Sequence, residues 1–212
     1  MNIRVFFPGA IALSLFAASP AVCADAPAAH VRGTVSAIAG DKVTIATAHG
    51  PVVVTVTAAT KFAGVTPGSP SDIAPGTFIG TANVPGDGAA RALEVVVFPK
   101  ALAGTGEGDY PWDLPAPGGH SSSMTNGTVA TPRASSMTNA TVSTISGGST
   151  RTVTLTYKGG TKKVAIEPGT PIVRIGPASR ALLVPGAHVV AFPPADAVSR
   201  IVIGEKGAVP PM

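Results

Sequence analysis

The sequence predicts an all-β chain: two tandem five-stranded small barrels of OB-like type, joined by a linker rich in Gly, Pro and Ser. Three observations lead there. Only 12% of the 212 residues are charged, whereas Gly and Pro supply 25 and 21, a balance suited to many short strands and turns. Runs of β-branched residues alternate with polar ones between glycine-bearing turns. The same pattern then recurs at an offset of about 110 residues.

The chain opens on a leader. Arg4 gives a short positive start, Val5 to Ala18 is uncharged and mostly apolar, and Ser19-Pro20 breaks the run before Val22-Cys23-Ala24. This is the pattern of an export signal cleaved after Ala24. The run is shorter than the roughly 20 residues that span a bilayer. An acylated Cys23 and an uncleaved anchor are the alternatives; Val22, where a lipobox has Gly or Ala, disfavours the first. Cys23 is the sole cysteine, so a chain cut at Ala24 has no disulfide and relies on core packing. The expected location is periplasmic or secreted, in a bacterium. The formal net charge of +4 argues neither for nor against an acidic partner.

A first module is expected over residues 25–99. Val31 to Ile38 reads as a strand ending at Ala39-Gly40-Asp41. Lys42-Val-Thr-Ile-Ala-Thr47 alternates and stops at His49-Gly50-Pro51, and Val52 to Thr57 is β-branched. Thr66 to Gly76 reads as a turn-rich connection, followed by strands over Thr77 to Val84 and Leu93 to Phe98. Closing such a short set of strands into a barrel removes its sheet edges, and a long third-to-fourth connection is the OB-type arrangement; an open two-sheet sandwich is the alternative. A second module is expected over 139–212. Val43-Thr44-Ile45 maps to Val153-Thr154-Leu155, Pro75-Gly76 to Pro185-Gly186, and Val95-Val96-Val97 to Ile201-Val202-Ile203. Its opening strand is expected at Thr141-Val142-Ser143, matched to Thr34-Val35-Ser36.

Gly33-Thr34-Val35, Thr60, Pro75-Gly76 and Ala92-Leu-Glu-Val-Val-Val97 together give a pattern that resembles the DUF5666 proteins, a bacterial family without assigned function. The resemblance covers the first half best, because Ala140 stands where the second half should have the glycine. It implies an exported β-barrel module and supplies no catalytic residues.

Residues 100–138 read as linker by composition. Within them, Ser122-Ser-Met-Thr-Asn126 returns as Ser135-Ser-Met-Thr-Asn139. The later copy leads into the second module and reads as its entry; the earlier one reads as a tolerated local duplication. The same stretch holds Asp109-Tyr110-Pro111-Trp112-Asp113, with the one tryptophan of the chain. A large aromatic gains by burying area. Tyr110 and Trp112 therefore either dock on a barrel wall, or form an exposed recognition patch flanked by Asp109 and Asp113.

Catalytic signatures are missing. The sequence has no Gly-x-Ser-x-Gly, no phosphate loop and no dinucleotide fingerprint, so a non-enzymatic role and no cofactor are expected. The alternative to a binding or scaffold protein is periplasmic copper handling through His120, Met124 and Met137, since soft Met with His suits copper. Nucleic acid is not expected, because single-strand binding needs aromatic platforms in a basic groove. An envelope protein, a cell-wall component or a small ligand is the expected partner.

Overall fold

A computed structural model describes residues 30–130 and 150–211. The leader, Cys23, Met137 and the expected entry strand at 141–143 lie outside the described residues. The first part of the chain forms β1 (Val31–Ala39), β2 (Lys42–Thr47), β3 (Gly50–Thr55), β4 (Lys61–Pro67), β5 (Phe78–Val84), β6 (Ala90–Ala92) and β7 (Val95–Val97). Next come β8 (Gly108–Trp112) and β9 (Ser122–Val129). The remainder is β10 (Arg151–Tyr157), β11 (Gly160–Ile166), β12 (Ile172–Pro177), β13 (His188–Phe192) and β14 (Arg200–Gly204). The all-β expectation holds.

Five strands close on themselves. β5 pairs with β6, β6 with β11, β11 with β10, β10 with β9, and β9 returns to β5. The barrel is mixed, since β6 and β11 run parallel and the other pairs antiparallel. Its interior follows the two-residue period of the strands. Val153 and Leu155 point in from β10, Val164 and Ile166 from β11, Ile79 from β5 and Val129 from β9. Ile73, 1% exposed, packs on the same cluster from the 3-10 turn Pro70–Asp72.

Both halves of the sequence contribute to this barrel, with β9 between them. A second closed barrel is not resolved among the described residues. β3, β2, β1, β13, β14 and β4 follow one another in an arc around Val35, Val43, Ile45, Val54, Val189, Ile201 and Ile203. β3 reaches the far side of that arc through the Val198 N–H to Thr55 O bond (3.0 Å). At the middle, β4 and β12 pair antiparallel with Val65 opposite Ile175. Each of these two strands also pairs parallel with a strand of the other half's closing pattern, β4 with β14 and β12 with β7.

The sequence pattern missed β4 and β12 because Gly64, Pro67, Gly176 and Pro177 imitate strand breakers. Both prolines sit at the last residue of their strand. A side chain on Gly64 would meet the Glu205 carboxylate.

The larger correction concerns 100–138. β8 and β9 fall inside that stretch, and β9 is central, pairing with β5, β8 and β10. Its polar side chains are buried: Ser122, Thr125 and Asn126 are 4%, 0% and 6% exposed. They are tolerated inside because they are hydrogen-bonded. Asn83 Nδ2 donates to Thr125 Oγ1 (3.0 Å), which donates to Asp109 Oδ1 (2.8 Å), and Ser122 Oγ donates to the Leu114 carbonyl (2.7 Å). The earlier Ser-Ser-Met-Thr-Asn copy is thus a barrel strand and not a spare. The register shows what it replaces. Val129 faces Leu155 and Thr128 faces Thr156, as Val35 faces Ile45 and Thr34 faces Ala46. Gly127 faces Ile79 as Gly33 faces Val189. Gly127-Thr128-Val129 is the structural counterpart of Gly33-Thr34-Val35.

Candidate binding site

β8 lies at one end of the strand order and pairs with β9 alone, on the edge of β9 that pairs with β10 further along, so it continues the sheet there as a strap. Carboxylates near its two ends fix it to opposite parts of the chain. Lys162 of β11 donates to both Asp109 oxygens (2.9 and 3.1 Å). At the other end, Asp113 accepts from Arg32 Nη2 (2.7 Å) and from the His30 backbone N–H (2.7 Å), with His30 Nδ1 at 2.9 Å. Burial alone would raise the Asp113 pKa, but the hydrogen bonds from Arg32 and His30 outweigh it and hold the carboxyl well below its ordinary range.

Between these clasps Trp112 packs, half-buried, on the apolar cluster that includes Met124, Val96 and Val190. Its ring lies 4.6 Å from that of His30, and His30 stands edge-on to Phe192 at 4.4 Å. Tyr110 is more exposed and sits 6.1 Å from Trp112. Asn126 Nδ2 donates to the Tyr110 hydroxyl and to the Gly106 carbonyl, both at 2.9 Å. Burial raises the Tyr110 pKa, and the Asn126 hydrogen bond partly opposes that shift.

A cavity of about 90 Å³ opens between strap and sheet. Its walls include Trp112, Tyr110, Phe98, Met124, Asn126 and Phe192, with Gly80 and Arg200 at the lining. The Arg200 guanidinium lies 5.6 Å over the Phe192 ring. Two wall residues carry buried polar atoms without a hydrogen-bond partner among the described residues: Trp112 Nε1 and Asn126 Oδ1. One is a donor only and the other an acceptor only. Each such group, buried and unmatched, costs on the order of 1–3 kcal/mol. Gly80 makes room for the Asn126 amide, since a side chain there would run into Asn126 Oδ1 and come within 3.1 Å of Phe98.

Of the residues singled out by sequence, Tyr110 and Trp112 line this cavity, whereas Asp109 and Asp113 anchor the strap. Asn126, Phe98, Phe192, Arg200 and His30 carried no sequence signal for a site. Asn126 was hidden in a polar repeat, and the phenylalanines read as core. Met124 is 3% exposed within the apolar cluster, and His120 is exposed in the β8–β9 connection. Among the described residues no group of three or more His, Cys, Asp or Glu is placed to hold a metal, and no helix is long and apolar enough to cross a membrane.

The fold and site define an all-β chain with a small mixed five-stranded barrel and an aromatic cavity on its flank. No protein-family model, no curated protein and no solved structure matches the chain. The likeness to DUF5666 proteins therefore rests on the short motifs alone.

Proposed function

We propose that this is an exported, non-catalytic binding protein of the bacterial cell envelope that holds a small uncharged group in the Trp112 cavity. One observation carries the reading: Trp112 Nε1, a donor, and Asn126 Oδ1, an acceptor, are both unmatched and both belong to walls of one aromatic cavity. A ligand that fits carries an acceptor for Trp112 Nε1 and a donor for Asn126 Oδ1 beside a small apolar group. An acetamido group has this make-up: its carbonyl accepts, its N–H donates and its methyl suits walls such as Met124 and Phe98. Cell-wall glycans carry that group, which brings the reading together with the export leader at residues 1–24. Copper handling is not carried forward, because Met124 is committed to the apolar cluster.

Trp112 is the one tryptophan, so tryptophan fluorescence, excited selectively over tyrosine, reports on this cavity. Titration with N,N′-diacetylchitobiose is expected to give a saturable change, whereas cellobiose, which lacks the acetamido groups, gives none. Gly80→Ala, which drives the Asn126 amide from its place on the cavity wall, is expected to weaken the response at least tenfold. A flat titration with both sugars sinks the acetamido reading; equal responses to both, or no effect of Gly80→Ala, removes the cavity as the site.

A further inference from the structure

Beside the Trp112 cavity stand two cations that the acetamido contacts do not use. In the strand register Arg200 of β14 faces Phe192 of β13 on one side and Lys61 of β4 on the other. Side chains at such partner positions share a face of the sheet. Here it is the face of Ala63, Val65, Val190 and Val202, the apolar cluster on which Trp112 packs. His30 meets the Phe192 ring edge-on, so a row runs across the sheet from His30 through Phe192 and Arg200 to Lys61.

The two ends of this row are balanced differently. At the His30 end, the Asp113 carboxylate answers His30 and Arg32. At the other end, Arg200 and Lys61 are both exposed, and among the described residues no carboxylate pairs with either. The nearby acids are engaged elsewhere: Asp109 with Lys162, Asp72 with Arg174 and Asp41 with Arg180. Like charges on facing positions of neighbouring strands repel. Arg200 also lines the cavity itself, with its guanidinium held over Phe192. Two unanswered cations are thus set side by side at the rim of a cavity whose walls hold an unmatched donor and an unmatched acceptor.

We propose that Arg200 and Lys61 form an anion subsite at the cavity rim, and that the ligand is an N-acetylated sugar that also carries a carboxylate. The proposal rests on the acetamido reading and narrows its substrate class. The guanidinium offers paired N–H donors to a carboxylate, and the ammonium adds a second positive charge. Because Arg200 belongs to the cavity lining, the carboxylate has to stand close to the acetamido group. N-acetylmuramic acid has that make-up: its lactyl ether sits on the ring carbon next to the one bearing the acetamido group. N-acetylglucosamine is the same sugar without the lactyl group.

Titration of the full chain with each of these two sugars, followed by tryptophan fluorescence at low salt, tests this. N-acetylmuramic acid is expected to bind with a Kd at least about tenfold lower than N-acetylglucosamine. In Arg200→Gln and in Lys61→Gln, made separately, that preference is expected to fall to within about threefold of unity. Equal affinity for the two sugars in the unaltered chain overturns the anion subsite and leaves the acetamido reading standing. A preference that persists undiminished in both variants overturns the assignment to Arg200 and Lys61. No response to either sugar overturns the acetamido reading and this proposal with it.

Discussion

β1 and β9 occupy matching places in the two sides of the sheet and differ in what surrounds them. Gly33 and Gly127 make the same close approach to a neighbouring carbonyl, and the strands on either side pair in the same register. Around β9 the ring closes through β6, which pairs with β11. Around β1 the matching position is held by the bond from Val198 to Thr55 and by Thr60, whose hydroxyl donates to the Val198 carbonyl (2.7 Å). Next to the glycines the sides diverge further. Gly80 faces Asn126 beside the cavity, whereas Val190 faces Arg32 and is 1% exposed. The difference teaches that the repeat preserved the backbone crossing and released the adjacent side chains. One side filled its space with Val190, and the other with the Asn126 amide beside a cavity.

The largest expected effect tests whether the open side is packed as well as the closed one. Ile45 and Leu155 are equivalent and both fully buried. Ile45→Ala and Leu155→Ala should each lower the unfolding free energy by about 3.5 kcal/mol, read from urea midpoints. A much smaller loss for Ile45 would show that the β1 side is not a core of the same quality.

Next in size is Gly33→Ala, expected to destabilise by about 2 kcal/mol through overpacking against the Ala46 carbonyl. A Cβ on Gly33 comes closer to its facing carbonyl than one on Gly127 does, so this loss should exceed that of Gly127→Ala by urea denaturation. Thr60→Val tests the substitute for a closing strand. Its hydroxyl also accepts from the Thr57 N–H (2.9 Å), so the change leaves two backbone groups unmatched and should cost about 1.5 kcal/mol.

The smallest effect concerns the Asp113 clasp. Its carboxyl is held below the ordinary range in the folded protein, so its contribution is fully present above the unfolded value of about 3.9 and is lost as pH falls through the lower folded value. Asp113→Asn should therefore lower the urea midpoint near pH 7 and flatten its pH dependence below about pH 4, so that the two proteins converge at the acid end. An unchanged acid limb would remove the clasp from the account.

Strands with clear alternation were legible in the sequence: β1, β2 and β5 stand where the pattern puts them, within a residue or two, and β10 contains the mapped Val153-Thr154-Leu155. The exchange of strands between halves was not, because hydrophobic periodicity states which face is buried and says nothing of which partner covers it. β9 was hidden for a different reason. Ser, Thr and Asn read as solvent-exposed, yet Thr125 is fully buried in a hydrogen-bonded chain that needs Asn83 and Asp109 from other strands. The aromatic strap was legible as an oddity of composition. Its cavity was not, since Gly80, Asn126 and Phe192 meet only through pairing across the barrel.

The central claim is that the earlier segment, in the β1-like register, closes a barrel made from both halves. Cross-strand nuclear Overhauser effects in the unaltered chain test it most directly. The account predicts contacts from Gly127 to Ile79 and from Val129 to Leu155, alongside the matching contacts from Gly33 to Val189 and from Val35 to Ile45. Contacts to Ile79 from Ala140 in place of Gly127 would contradict it.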